Sequence, residues 1–192
     1  MRIVIKSDLD KMAKGLERQQ SNVLRAIVQG LQAGGNKVRT KTHHAMQDQT
    51  SLLKYSSVTS RSRTINPYVT GLAPKSGIGP PRGRSLSYTI VYKGKPATKA
   101  SEFKTSVATG PGGGVTAIMW RRAIKFARSF LGKGRAAGGL LSRRGDPHNP
   151  IAKLMGPNLA EEAVKDQVAE TFVVGVQTIV VPEIEKRLAK AL

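Results

Sequence analysis

The chain has 192 residues, no cysteine, and a formal charge of +20 from 32 Lys and Arg against 12 Asp and Glu. That length sets the expectation of a single domain over residues 1–192 with one modest core, and the missing cysteines exclude both a disulfide framework and a thiolate metal site. The charge points to polyanions or acidic protein surfaces as partners.

The N-terminal MRIVIKSDLD lacks the apolar stretch of a secretory signal, so manufacture and use in the cytoplasm are expected. Its segment Arg2–Lys6 alternates basic and apolar residues as a short strand does, with Ser7 placed to cap the next element. Asp8 and Asp10 then fall in a first helical turn. Leu9, Met12, Leu16, Val23, Ile27 and Leu31 recur at helical spacings, and Ala13, Leu24 and Val28 widen the stripe, which predicts a long first helix. Gly34-Gly35 is a place for it to stop or bend, although Val38, Thr42, Ala45 and Met46 carry the spacing on towards Asp48. His43 and His44, adjacent on that helix, point about 100° apart, the wrong geometry for one metal, and read as surface residues.

From about residue 50 to 84 the chain is rich in Ser, Thr, Arg, Gly and Pro, closing on Gly79-Pro-Pro-Arg-Gly-Arg84, and reads as an extended basic loop. Two β-like runs come next, Ser85–Tyr92 and Val115–Arg121, separated by a possible short helix over 97–104 and the glycine cluster 110–114. Trp120, flanked by strand residues, reads as core. A second glycine cluster, 132–139, precedes Leu140-Leu-Ser-Arg-Arg144. From Asn158, a capping residue, a helix is expected, with Glu161 and Glu162 at the positive end of its dipole and Val164, Val168, Phe172, Val176 and Ile179 along one face. Pro182 should kink or restart it before Ile184, Leu188 and Leu192. The apolar segment Phe172–Val181, broken by Gly175, Gln177 and Thr178, falls short of the ~20 residues of a bilayer span. The fold class is therefore α+β: a long N-terminal helix, a small antiparallel sheet with basic glycine-rich loops, and a long C-terminal helix.

Charge divides unevenly along this order. Residues 1–60 carry 10 basic and 4 acidic side chains, residues 61–145 carry 17 against Glu102 alone, and residues 146–192 carry 5 against 7. A middle third at +16 is self-repelling unless an acidic neighbour or nucleic acid meets it. Arg61, Arg63, Arg82, Arg84, Arg121, Arg122, Arg143 and Arg144 are the candidate contacts to a partner or polyanion.

Catalysis has no visible constellation. Gly110–Gly114 is succeeded by no Gly-Lys-Ser/Thr and by a strand where a phosphate-receiving helix should begin. Asp146-Pro-His148-Asn-Pro150 puts a carboxylate near an imidazole, but its prolines make it a turn. The carboxylates Glu161, Glu162, Asp166 and Glu170 cluster at a helix start and read as solvated or partner-facing. No cofactor, no metal and no enzymatic activity are expected.

One segment, Pro150-Ile-Ala-Lys-Leu-Met-Gly-Pro-Asn-Leu-Ala160, resembles the proline-isoleucine, then leucine-tyrosine-glycine-proline segment of phage minor tail protein Z and related tail-completion (neck) proteins. Met155 stands where that family often has an aromatic residue. Lys95–Phe103, Val115–Phe130, the Arg143-Arg144-Gly145 turn and the closing Lys186–Leu192 fall in the family's order. The resemblance implies a structural virion protein at the head–tail junction, assembled in the host cytoplasm. It would form a ring with copies of itself, a hexamer in the family, and contact the tail terminator, tail tube or head connector, with possible contact to DNA in the channel and no membrane association. The competing expectation is a sequence-independent nucleic-acid-binding protein, drawn from the basic middle third and Tyr68, Tyr88 and Tyr92.

Overall fold

The computed structural model describes residues 8–69, 84–93, 98–108, 113–132, 139–143 and 151–191, with backbone alone for 8–20, 68–69, 84–85, 101 and 143. The strand expected at 2–6, the cap at Ser7 and the Asp146–Pro150 turn lie outside these residues. The chain divides into two compact units, Met1–Arg39 with Thr64–Thr89 and Val174–Leu192, and Thr40–Arg63 with Ile90–Val173.

Helix α1 runs from Asp8 to Thr50 without a break at Gly34-Gly35. These glycines do not end it because the space left by their missing side chains is filled. A Cβ on Gly30 would stand 2.8 Å from the Cα of Ile184, one on Gly34 2.8 Å from the Cα of Val180, and one on Gly35 2.5 Å from the Tyr88 ring. The Tyr88 hydroxyl donates to Asn36 Oδ1 at 2.9 Å, so ring and tip are both held on α1.

The C-terminal helix supplies the other side of this contact. It comprises α4 (Asp166–Gly175), a π-helical segment (Val176–Val180) and α5 (Val181–Leu188), continuous in the backbone. Contact points on α1 fall every four residues, at Gly30, Gly34 and Val38. Their partners are Ile184, Val180 and Gly175, spaced by four and then five. The wide π turn takes up that extra residue, which keeps Gly175 on Val38. Pro182 stands in the first turn of α5, just past the π segment, where its missing N–H is tolerated, so the expected kink or restart takes the form of a π widening followed by α5. Lys37 and Arg187 both bind the Glu183 carboxylate, at 3.0 and 3.2 Å.

The second unit is built on the last turns of α1. Of the stretch expected as an extended loop from about 50 to 84, the described residues carry α2 (Tyr55–Thr59) and β1 (Ser62–Ile65) and, in the first unit, β2 (Tyr68–Val69) and β3 (Arg84–Ser85). β2 pairs antiparallel with β3, and β1 pairs with β4 (Thr89–Tyr92). The expected helix at 97–104 is a single 3-10 turn, Ala100–Glu102. Beyond it are two antiparallel three-stranded sheets. The first orders β5 (Thr105–Val107), β6 (Gly114–Met119) and β7 (Arg122–Ala127), and the second β8 (Ser129–Leu131), β9 (Leu140–Arg143) and β10 (Ile151–Leu154).

Alternation decides what each strand buries. Val115, Ala117 and Met119 of β6 face inward beside Phe126 and Ile124 of β7, and Leu140 lies between Leu131 and Leu154. With Met46, Leu52, Val58, Phe103, Leu159 and Val168 they form the core. His43 is inside as well: it is 2% exposed and packs edge-on to Tyr92, while His44 stacks on Tyr55 at 4.5 Å. The surface reading of His43 is thus corrected, because the α1 face it occupies is covered by both tyrosines.

After β10, Gly156-Pro157 is locked in place. The Thr98 hydroxyl donates to Pro157 O at 2.8 Å, and a Cβ on Gly156 would meet Phe103 and Thr98 at 2.6 Å. Asn158 caps α3 (Leu159–Glu162) by accepting from the Ala160 amide, as its position predicts. The helix then breaks, with Asp166 at a φ of 44°, before α4 resumes. That break leaves Val164, expected on the inner face, 76% exposed. Glu162, expected as a solvated or partner-facing group, is instead folded inward, 6% exposed and accepting from Gln49 Nε2 at 3.0 Å.

Candidate functional site

The run Val115–Arg121, read as one strand, is a strand and a turn. Met119 pairs with Arg122, and the two residues between them, Trp120 and Arg121, have φ of 50° and 58°. A two-residue hairpin loop with both φ positive is a type I′ turn, whose twist matches the strands but which favours Asn-Gly. A non-glycine residue in this region costs about 1–3 kcal/mol and persists only where its surroundings enforce it.

Those surroundings are the end of α1. The Trp120 amide donates to Thr50 O at 3.3 Å and the Arg121 amide to Ser51 Oγ at 2.7 Å, Ser51 itself having a φ of 63°. The Arg121 guanidinium reaches Asp48 O at 3.3 Å and Gln167 Oε1 at 3.4 Å, where a cation also suits the negative end of the helix dipole. The turn is therefore held rigid from below, and what it presents is Trp120, 40% exposed, beside exposed Arg121 and Arg122. The core reading of Trp120 is corrected by this geometry: a residue at the tip of a hairpin has no second layer over it.

The other predicted contact residues part company. Arg61 is folded inward: its guanidinium makes a two-pronged bond to Glu102 at 2.6 and 2.7 Å and donates to Ser57 O at 2.8 Å. Burial works against ionisation of Glu102, but Arg61, the Lys99 amide and Ser57 outweigh it and hold the carboxyl below its ordinary pKa. Arg63 is exposed on β1. Arg84 lies on β3 and Arg143 on β9 opposite Ile151, with only their backbones described, and Arg82 and Arg144 lie outside the described residues. Of the eight, Arg121 and Arg122 are the pair brought together at one exposed tip.

Further surface escapes a reading of the sequence. Lys125, Arg128 and Lys153 are exposed and have no acidic partner among the described residues. On the second sheet and just beyond it, Phe130, Ile151 and Met155 are 37%, 48% and 48% exposed, and the register Phe130–Leu141–Lys153 sets a mixed row of two apolar residues and a lysine on its outer face. The signal for this row is present in the sequence as the alternation of Ile151, Lys153 and Met155. No family model, curated protein or solved structure matches the chain.

Proposed function

We propose that this chain is a structural virion protein of a tailed bacteriophage, a tail-completion or neck component that works by assembly in a ring at the head–tail junction. The observation that carries it is the partner-seeking surface: Trp120 and the Phe130, Ile151 and Met155 face stand in water while exposed cations around them lack acidic neighbours among the described residues. Exposed apolar area of this kind is stabilised when another subunit covers it. The resemblance at Pro150–Ala160 supplies the specific setting, and within that segment Gly156-Pro157 packs tightly on Thr98 and Phe103.

Electron microscopy of particles made with and without the protein tests the proposal. Loss of the protein is expected to leave heads and tails unjoined or tails unfinished; normal joining in its absence would overturn the reading. A second reading, sequence-independent nucleic-acid binding, is favoured by the +20 charge. It predicts that the isolated protein binds oligonucleotides of any sequence with a steep salt dependence.

A further inference from the structure

We infer that the Met119–Arg122 tip is a preorganised anchor for an acidic protein surface in the particle, with Trp120 entering an apolar pocket and Arg122 meeting a carboxylate on its rim. This rests on the virion reading above and names the partner chemistry of the same site.

Three observations converge on it. First, the turn keeps two residues in a backbone region that neither prefers, where Asn-Gly would relieve the cost. Stability alone therefore does not account for Trp-Arg at these positions. Second, the end of α1 holds the turn through the two amides and the Arg121 side chain, so little ordering remains to be done on binding. Third, what is displayed is an exposed indole between the strand ends with two guanidinium groups, the residue types that dominate protein interfaces.

The charge pattern selects the partner. Arg121 is already engaged by Asp48 O and Gln167, which leaves Arg122 as the freely projecting cation of the turn. Among the described residues the turn itself projects one cation beside its indole, which suits one carboxylate on a pocket rim. Another copy of the chain brings a further +20 and is a poorer match than an acidic neighbour.

The test uses particles assembled without this protein, to which purified full-length chain is added. The double variant W120N/R121G installs the favoured turn pair, which offsets the Arg121 side-chain bonds it removes, so it is expected to leave the urea midpoint close to the wild type's while weakening attachment to the particles by at least about tenfold. Arg122→Glu is expected to weaken attachment without raising the midpoint. Because Trp120 is the chain's single tryptophan, biosynthetic replacement by 5-hydroxytryptophan gives a probe at the tip alone. Its emission is expected to shift to the blue, and its quenching by acrylamide to fall, when the chain joins the particle.

Attachment of W120N/R121G equal to that of the wild-type chain, or an unchanged emission on attachment, would overturn the anchor while leaving the virion reading intact. Failure of the wild-type chain to join particles would remove both. An emission shift produced by a single-stranded oligonucleotide at physiological salt, or by raising the concentration of the chain alone, would reassign the tip to nucleic acid or to self-association.

Discussion

Arg61 and Glu102 illustrate how far one residue's role depends on a neighbour distant in sequence. In a stretch of 85 residues with a single acid, Arg61 reads as one cation among many, yet it lies 41 residues from Glu102 and is bound to it by two prongs. Side-chain exposures of 13% and 16% place the pair mostly out of water. Arg61→Ala is expected to cost about 2 kcal/mol in urea unfolding, below the ~3–5 kcal/mol of a fully buried pair because both groups keep some solvent. The carboxyl's pKa is lowered in the fold, so its contribution is complete above the unfolded value near ~4.3 and is lost as pH falls through the lower folded value. Glu102→Gln should therefore flatten the acid limb of a urea-midpoint profile against pH; an acid limb as steep as the wild type's would count against this pairing. Lys37→Ala, which removes a pair with a 61% exposed lysine, is expected to leave the midpoint almost unchanged.

At the scale of elements, the long helices were legible because three-and-four spacing is a local signal. Leu159–Glu162 and its Asn158 cap were legible for the same reason. Of the strands, β4 and most of β6 fall within the expected runs Ser85–Tyr92 and Val115–Arg121, whereas short basic segments such as Arg122–Ala127 were missed because they bury only alternate residues and the turn before them uses Trp-Arg rather than Asn-Gly. Gly34-Gly35 misled in the other direction: glycine weakens a helix in isolation, but here it admits a neighbouring backbone. Gly34→Ala would force its Cβ against the Cα of Val180, and an overpacking cost of about 1–3 kcal/mol is expected in thermal unfolding. Gly156→Ala should be similarly destabilising, because Phe103 is buried and Thr98 is already bonded to Pro157. The π segment makes a sharper prediction. Deleting Gln177 should convert it to an ordinary α turn whose four-residue spacing matches that of α1, leaving Gly175 on Val38 and the unfolding temperature close to the wild type's. A large fall in temperature would show that the π turn does more than take up the extra residue.

For the molecule as a whole, the α+β class and the uneven charge were both readable in the sequence, since each depends on composition along the chain. Which cations face outward was not readable, because that depends on folded pairings such as Arg61 with Glu102. What the fold adds is exposed apolar surface, the Trp120 tip and the residues Phe130, Ile151 and Met155, set among exposed Lys125, Arg128 and Lys153. At +20, weak attraction to DNA in low salt is expected of this chain whatever its role, and it should fade steeply as salt approaches physiological levels. Persistence of tight oligonucleotide binding there would favour the nucleic-acid reading. The most direct test of an assembling role is quantitative mass spectrometry of purified particles. A fixed number of copies per particle, matching one ring and the copy number of neck proteins, is the predicted result. Absence of the chain from purified particles while it is abundant in the infected cell would contradict it.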